Sequence, residues 1–163
     1  MRAKTRTREP IFTYKEFRQV TELTKKEADS WVQEGVITAE LAANGRRRLY
    51  TGQSLMEGSI AKQLADFSSR ELLPEMMEKF RQFLRHKRIA LSKIDPDYSK
   101  EHMLVKVYTR NSPEIVAGGG VRGVIAYIDR FDPDGRTTGK SVYLIVDLTL
   151  IALEVQSGIN GFK

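Results

Sequence analysis

Three consecutive arginines, Arg46, Arg47 and Arg48, follow a glycine in the N-terminal third of the chain. A guanidinium is permanently charged and donates hydrogen bonds in a planar fork that matches a phosphate group. Asn44-Gly45, immediately before Arg46, is a strong signal for a tight type I′ β-hairpin turn. Arginines at such a tip can clamp phosphates or enter a minor groove. An arginine-rich hairpin can also pair with an acidic surface or protect an edge strand, so these residues alone do not decide the function.

A second set of polar side chains lies on one face of a short predicted helix before this hairpin. The helix begins at a capping box, with Thr24 as the N-cap and Glu27 three residues later, and Gly35 is placed to end it. Presented N-terminus first to a major groove, such a helix can reach phosphates and base edges. Its predicted buried residues are Ala28, Trp31 and Val32, and its predicted exposed residues are Thr24, Lys25, Lys26, Asp29, Ser30 and Gln33.

The elements around these residues form a recognisable order. A first capping box, Thr13 with Glu16, predicts a short helix, and Leu23 lies in the turn before the second helix. Two short helices joined in this way outline a helix-turn-helix. Residues 36–41 and 46–50 are the predicted arms of the hairpin, and Thr51 is the predicted cap of a third helix. The apolar stripe of that third helix is Leu55, Met56, Ile60, Leu64 and Phe67.

The second half of the chain predicts one helix and a small sheet. A helix is expected from Glu71 to Ala90, with Pro74 in its first turn, where proline is tolerated. Strands are expected at 103–110, 121–129 and 141–146, the last two paired through the turn at 132–135. Residues 148–156 can continue the preceding strand or form a helix capped by Asp147, and their helical spacing favours the helix.

Residues 118–123 formally match the glycine pattern that binds phosphate between a strand and a helix. Since a strand is predicted to follow them, we interpret them as a flexible turn.

The bulk composition limits the classes of function. The chain has 163 residues, no cysteine, two histidines and a formal charge of +6. Disulfides and thiolate metal sites are therefore excluded, and neither a metal site nor a cofactor is expected. No nucleophile–base pair is recognisable, so an enzyme is not expected. We expect a cytoplasmic protein, since neither a signal peptide nor a membrane span is visible.

The positive charge suits a polyanionic partner, and its placement is more informative than its sum. The three basic clusters are Arg2, Lys4, Arg6 and Arg8, then Arg46, Arg47 and Arg48, and finally Arg81, Arg85, Lys87 and Arg88.

Residues 11–67 resemble the MerR family of winged helix-turn-helix DNA-binding domains and share features with excisionase-type winged helices. The matching pieces are Phe12-Thr13-Tyr14-Lys15-Glu16, Trp31 with Gly35-Val36, and Gly45-Arg46-Arg47-Arg48-Leu49-Tyr50-Thr51. The family's wing ends in Arg-x-Tyr-Ser/Thr, a pattern that Arg48 to Thr51 fits. The resemblance implies that Arg48 and Tyr50 help to position the DNA backbone. The predicted DNA-binding residues are Thr13, Tyr14, Thr24, Lys25, Lys26, Asp29, Ser30, Arg46, Arg47, Arg48 and Tyr50.

The sequence also departs from that family. Asp29-Ser30-Trp31-Val32 stands where the family's second helix carries Arg-Tyr-Tyr-Glu, and Glu22 stands where many relatives have glycine. The predicted helix at 71–90 is short and strands follow it, so the long dimerising coiled coil of the family is not expected. Binding to the DNA backbone is therefore better supported than sequence-specific contacts with the bases.

These patterns predict an α+β chain made of three parts. Residues 1–10 form a basic flexible arm, 11–68 the winged helix-turn-helix, and 69–163 a helix plus a small antiparallel sheet for dimerisation or an effector. The predicted function is a transcriptional regulator that binds double-stranded DNA as a homodimer, with no membrane partner. Two alternatives stay open: a protein-interaction adaptor, and a small-ligand sensor whose winged helix does not read sequence.

Overall fold

Helices make up most of the first half of the chain, and a small antiparallel sheet is added in the second half. The computed structural model describes residues 11–42, 45–66, 69–88, 90, 102–108, 114–119, 121–131 and 141–162. The helices are α1 (Tyr14–Thr21), α2 (Lys25–Gln33), α3 (Gly52–Ala65), α4 (Leu73–Lys87), α5 (Val121–Phe131) and α6 (Leu148–Asn160). The strands are β1 (Glu40–Leu41), β2 (Arg48–Leu49), β3 (His102–Tyr108), β4 (Glu114–Gly119) and β5 (Ser141–Asp147). The chain is an α+β protein, as its sequence predicts.

The predicted helix starts of the first half are confirmed by their caps. Thr13 and Thr24 both form complete capping boxes, with Glu16 and Glu27 as the returning carboxylates. Thr51 caps α3 by accepting a hydrogen bond from the backbone N–H of Ser54. Each cap satisfies backbone N–H groups that the first turn of a helix leaves without partners.

Helix α2 ends in the way its sequence predicts. Gly35 has φ +75°, and the next residue, Val36, donates its N–H to the carbonyl of Trp31 at 2.8 Å. This is the bond of a Schellman motif, which turns the chain sharply out of the helix. Residues 36–39 then lead directly into the hairpin.

The hairpin is present but is shorter than predicted. Only two pairs of residues lie in register, Glu40 with Leu49 and Leu41 with Arg48. Ala42 donates its N–H to the carbonyl of Arg47 at 2.8 Å, and its own carbonyl accepts the N–H of Gly45 at 2.7 Å. The type I′ turn at Asn44-Gly45 stays a prediction, because it includes Asn44. Gly45 has φ +65°, a conformation that favours glycine. Asn44 lies outside the described residues.

Helix α4 forms close to its predicted position. A short 3₁₀ turn at Arg70–Leu72 precedes it, and Pro74 lies in its first turn. The helix ends at Arg88, whose φ of +57° is left-handed, instead of extending to Ala90.

The sheet corrects the prediction for the C-terminal part. Its strand order is β4-β3-β5, and β3 is antiparallel to both neighbours. Strands β4 and β5 are therefore parallel, with β3 between them, and α5 connects them as a crossover. The expected strand at 121–129 is wrong, because those residues form α5. The expected pairing of 121–129 with 141–146 is also wrong, since β5 pairs with β3. The predicted turn at 132–135 lies outside the described residues.

One buried cluster connects the two halves of the chain. Helix α6, capped by Asp147 as predicted, packs against α1 and α3. Phe17, Leu55, Ile60 and Ile151 are fully buried in this cluster, which continues through α4. This cluster contains residues from both sides of the predicted domain boundary at residue 68. Every described helix is too short or too polar to cross a bilayer.

Candidate nucleic-acid interface

The arginine-bearing hairpin faces the start of α1 and Asp29 of α2 across an open groove of about 690 Å³. We call this the hairpin groove. Its lining is mostly apolar and its charged residues are largely cationic, which suits an anionic ligand with apolar parts. Seven of the predicted DNA-binding residues lie along it, which are Thr13, Tyr14, Asp29, Arg46, Arg47, Arg48 and Tyr50. Residues 43 and 44, at the hairpin tip, lie outside the described residues.

The three arginines differ in exposure. Arg46 and Arg47 are exposed, whereas Arg48 is half-buried where strand β2 begins. Arg46 and Arg47 precede strand β2, and the end of this arm is held to the body by a bridge between Phe12 and Tyr50, with Phe12 donating its N–H to the Tyr50 carbonyl at 2.8 Å. The hairpin therefore leaves the body at a fixed point, with its guanidiniums on the side of the groove.

Tyr14 and Asp29 connect the first two helices. The hydroxyl of Tyr14 donates to Oδ1 of Asp29 at 3.0 Å, and Arg18 lies over the Tyr14 ring. Burial and this hydrogen bond raise the pKa of the Tyr14 hydroxyl. Asp29 is therefore used as an acceptor between α1 and α2, and it is an anion beside the cations of the hairpin groove.

Tyr50 is buried rather than exposed. Its ring stacks on Phe17 with centroids 4.2 Å apart, and it has no measurable exposure. Its hydroxyl has no hydrogen-bond partner among the described residues. Burial raises the pKa of this hydroxyl, while the neighbouring Arg48 charge acts in the opposite direction. Tyr50 therefore packs into the body at the end of the hairpin, and its predicted role at the DNA backbone stays a prediction.

The remaining predicted residues of α2 lie on a different side of that helix. Thr24, Lys26 and Ser30 line a second, smaller groove of about 360 Å³, which we call the helix groove. Arg70 and Leu73 form its opposite wall. The structure thus divides the predicted site, because α2 lies between the two grooves.

The two N-cap threonines are already engaged with the helices they start. Thr13 Oγ1 donates to Glu16 Oε2 at 2.8 Å, and Thr24 Oγ1 donates to Glu27 Oε2 at 2.7 Å. Hydrogen bonds from the two threonines lower the pKa of both carboxyls. Lys25 and Lys26 are exposed in the first turn of α2 and extend into solvent. The lysines are therefore the more accessible contacts at this helix start.

Two of the four residues of the third basic cluster, Arg81 and Arg85, form ion pairs within the protein. Arg81 is only 14% exposed and pairs with the buried Glu57, whereas the exposed Arg85 pairs with Glu78. Hydrogen bonds from Arg85 and Gln82 lower the pKa of Glu78. This cluster is thus a weaker candidate for polyanion contacts than its sequence suggests.

The sequence prediction missed Glu57 and Arg81 as residues that hold the hairpin. A signal was available, because Glu57 lies within the apolar stretch that α3 buries from Ser54 to Gly58. A carboxylate in such a stretch requires a cationic partner. The position of that partner, 24 residues later on α4, could not be read from the spacing.

The glycine motif at 118–123 has a different context from the expected one. It spans the end of β4 and the start of α5, so a helix follows it and the predicted strand is wrong. The reason for interpreting the motif as a simple turn is therefore wrong as well. Gly120 lies outside the described residues. No group of three metal-binding side chains occurs in the described part of the chain.

No protein-family model matches the chain, and no curated protein is significantly similar to it in sequence. The candidate interface therefore depends on its own geometry. That geometry brings exposed guanidiniums and an apolar groove together, and the Tyr14 hydroxyl, which lines the groove, donates to the Lys25 carbonyl at the start of α2 at 3.3 Å. This arrangement is suited to binding a phosphate backbone.

Proposed function

We propose that the chain binds double-stranded DNA through a MerR-like winged helix-turn-helix and acts as a transcriptional regulator. The observation that carries the proposal is the hairpin groove, where Arg46, Arg47 and Arg48 share one opening with the start of α1 and with Asp29 of α2. In the proposed complex the hairpin is the wing and α2 is the helix presented to the major groove.

The exposure and charge of each residue determine its role in the proposed complex. The exposed Arg46 and Arg47 contact phosphates, and Lys25 and Lys26 at the start of α2 contact phosphates or guanine. Asp29, which accepts a hydrogen bond from Tyr14, adds a negative charge to the groove and does not attract phosphates. Phosphate contacts therefore supply most of the affinity, and the affinity falls steeply with salt.

The proposal is tested by replacing Arg46, Arg47 and Arg48 together with alanine. Binding to a fluorescent duplex, followed by anisotropy across a salt series, should weaken at least about tenfold at low salt. The slope of log affinity against log salt should fall by up to about three units.

A matched control removes three cations from other helices, through Lys79→Ala, Arg122→Ala and Arg130→Ala. This control has the same net charge as the hairpin variant and should keep most of the wild-type affinity and slope. Equal losses in the two variants would show that net charge, and not the hairpin, drives binding.

A homodimer is part of the proposal. Operators are commonly bound by two copies of a small reading domain. Ile145, Leu150 and Leu153 in the C-terminal part are 38%, 48% and 46% exposed, which leaves apolar surface for a second copy. Light scattering should give twice the chain mass, and a single-chain mass at high concentration would exclude the dimer.

A protein-interaction adaptor is the second candidate. It is favoured by Ile11 and Leu41, which are 56% and 67% exposed near the hairpin and suit an apolar partner. An adaptor leaves random duplex DNA unbound at low salt, whereas the DNA-binding proposal requires a complex.

A further inference from the structure

A buried ion pair connects α3 and α4 beneath the hairpin. Glu57 has no exposed surface, and its Oε1 accepts a hydrogen bond from Nε of Arg81 at 3.0 Å. Nη2 of Arg81 also bonds to Glu57 Oε2 at 3.3 Å. Gln53 donates to the same carboxylate from one turn earlier on α3. Both charges are therefore paired and hydrogen-bonded, which burial of an ion pair requires.

This pair also holds the chain that leaves α2. Arg81 Nη2 donates to the carbonyl of Val36 at 2.6 Å, directly after the end of the helix. Glu57 Oε2 accepts the N–H of Thr38 at 2.6 Å, and Ser54 Oγ donates to the Thr38 carbonyl at 2.6 Å. Side chains from α3 and α4 thus hold three backbone groups within three residues.

Residues 36–38 lie in the middle of the link, 34–39, between α2 and strand β1. The hairpin that follows has only two residue pairs in register, so its own ladder gives it little stiffness. Its other arm is held separately, by the bridge between Phe12 and Tyr50. The Trp31 carbonyl and the burial of Val36 and Ile37 fix the start of this link. The contacts made by Glu57, Ser54 and Arg81 hold the Val36 carbonyl and the backbone of Thr38, from which the β1 arm continues.

We infer that Arg81 and Glu57 are positioning residues that fix the angle between the hairpin and α2. Neither needs to contact a ligand, since both side chains are occupied under the hairpin. This inference rests on the proposed function in one respect: the fixed angle lets the hairpin arginines and the α2 lysines reach one duplex together. The angle itself can be measured without DNA.

The absence of cysteine from the sequence allows two spin labels to be placed at chosen sites. Gln33→Cys and Leu41→Cys lie at the end of α2 and on β1, and both positions are exposed. The distance distribution between the labels is measured in three backgrounds, which are otherwise wild type, Arg81→Met and Arg85→Met. Arg85 lies one turn after Arg81 on α4 and is 65% exposed, so its variant loses the same charge without losing the contact to the hairpin link.

The inference predicts a distribution at least twofold broader for Arg81→Met and an unchanged one for Arg85→Met. An Arg81→Met distribution as narrow as the wild-type one overturns the inference. If Arg81→Met does not fold, the double variant Glu57→Gln with Arg81→Met replaces it. That variant buries no unpaired charge and keeps an amide oxygen for the Thr38 N–H, and the same two outcomes decide the matter.

A second measurement connects the angle to DNA. Arg81→Met should bind duplex DNA about tenfold more weakly than Arg85→Met and with a flatter salt dependence, because hairpin and helix no longer engage phosphates together. If Arg81→Met and Arg85→Met bind duplex DNA with equal affinity and equal salt slope, the positioning role is contradicted. The proposed function is retained in that case, provided that the wild-type protein binds the duplex. If wild type binds no duplex but the label distances broaden in Arg81→Met, the proposed function fails and the positioning of the hairpin stands.

Discussion

Asp29 illustrates how single residues of the proposed interface oppose or support its charge. Its carboxylate lies among the cations of the hairpin groove and accepts a hydrogen bond from the Tyr14 hydroxyl at 3.0 Å. An asparagine has the same shape and retains an oxygen that can accept this bond. The negative charge can therefore be removed while the contact between α1 and α2 is kept.

We expect Asp29→Asn to bind duplex DNA about threefold or more tightly at low salt, because a carboxylate near the phosphates is lost. Asp66→Asn, at the exposed end of α3, makes the same charge change away from the groove. It should raise the affinity less. An Asp29→Asn affinity no higher than that of Asp66→Asn would place the DNA elsewhere.

Glu22, in the turn between α1 and α2, has a backbone conformation that favours glycine. Its φ is +53°, and its side chain is 80% exposed and paired with Lys62. Replacing it with glycine or alanine removes the pair equally, so the two variants differ mainly in backbone strain.

Glu22→Gly should be more stable than Glu22→Ala by about 1 kcal/mol in urea unfolding, since a left-handed conformation costs alanine more than glycine. An alanine variant as stable as the glycine variant would contradict this backbone argument. The sequence pointed to this position, because glycine is common there in the family that the chain resembles.

At the scale of elements, helix boundaries were predicted most accurately where local sequence signals and burial agree. Thr13, Thr24 and Thr51 each cap a helix as expected, and Gly35 ends α2. Such signals act within four residues and do not depend on distant packing. The hairpin was placed correctly for the same reason, although its paired part is shorter than predicted.

Helix α5 shows why the C-terminal part was harder to predict. Its β-branched and aromatic residues favour a strand by propensity, yet Val121, Val124, Ile125 and Ile128 recur with helical spacing. Val124 is buried and its neighbours Arg122 and Gly123 are exposed. Propensity is a weak prior that tertiary packing overrides, and the crossover between β4 and β5 requires a helix here. Strand β4 was missed as well, and with it the pairing of the sheet.

Helices α1 and α3 lie so close together that adding one methyl group at their contact should destabilise the protein. A Cβ at Gly58 lies 2.8 Å from Thr21 Cγ2 and 3.3 Å from the Phe17 ring. Gly58→Ala should therefore lower the free energy of unfolding by about 1–3 kcal/mol, since α1 must move away from α3. Ser59→Ala, at the next position, is the control and should change stability little. A stable Gly58→Ala would show that the helices tolerate a wider separation.

At the scale of the whole molecule, α6 connects the end of the chain to its first helices. Ile151 is fully buried in the cluster that also contains Phe17 and Leu55. The single tryptophan, Trp31, belongs to α2 and to the same cluster. Its fluorescence therefore reports on the N-terminal part when the C-terminal helix is changed.

Ile151→Ala should lower the stability reported by Trp31 by about 2–5 kcal/mol, because a cavity opens in the shared core. Leu150→Ala, at a position that is 48% exposed, should have a much smaller effect. A Trp31 transition that is unaffected by Ile151→Ala would mean that the two halves unfold independently, as separate domains divided near residue 68 can do.

The central claim is that this chain binds double-stranded DNA through its hairpin and the start of α2. The most direct measurement is the anisotropy of a fluorescent random-sequence duplex titrated with the wild-type protein at several salt concentrations. We predict saturable binding at low salt and a log–log slope of about −3 or steeper as salt rises. No change in anisotropy at low salt, with a folded protein in excess, would contradict the account.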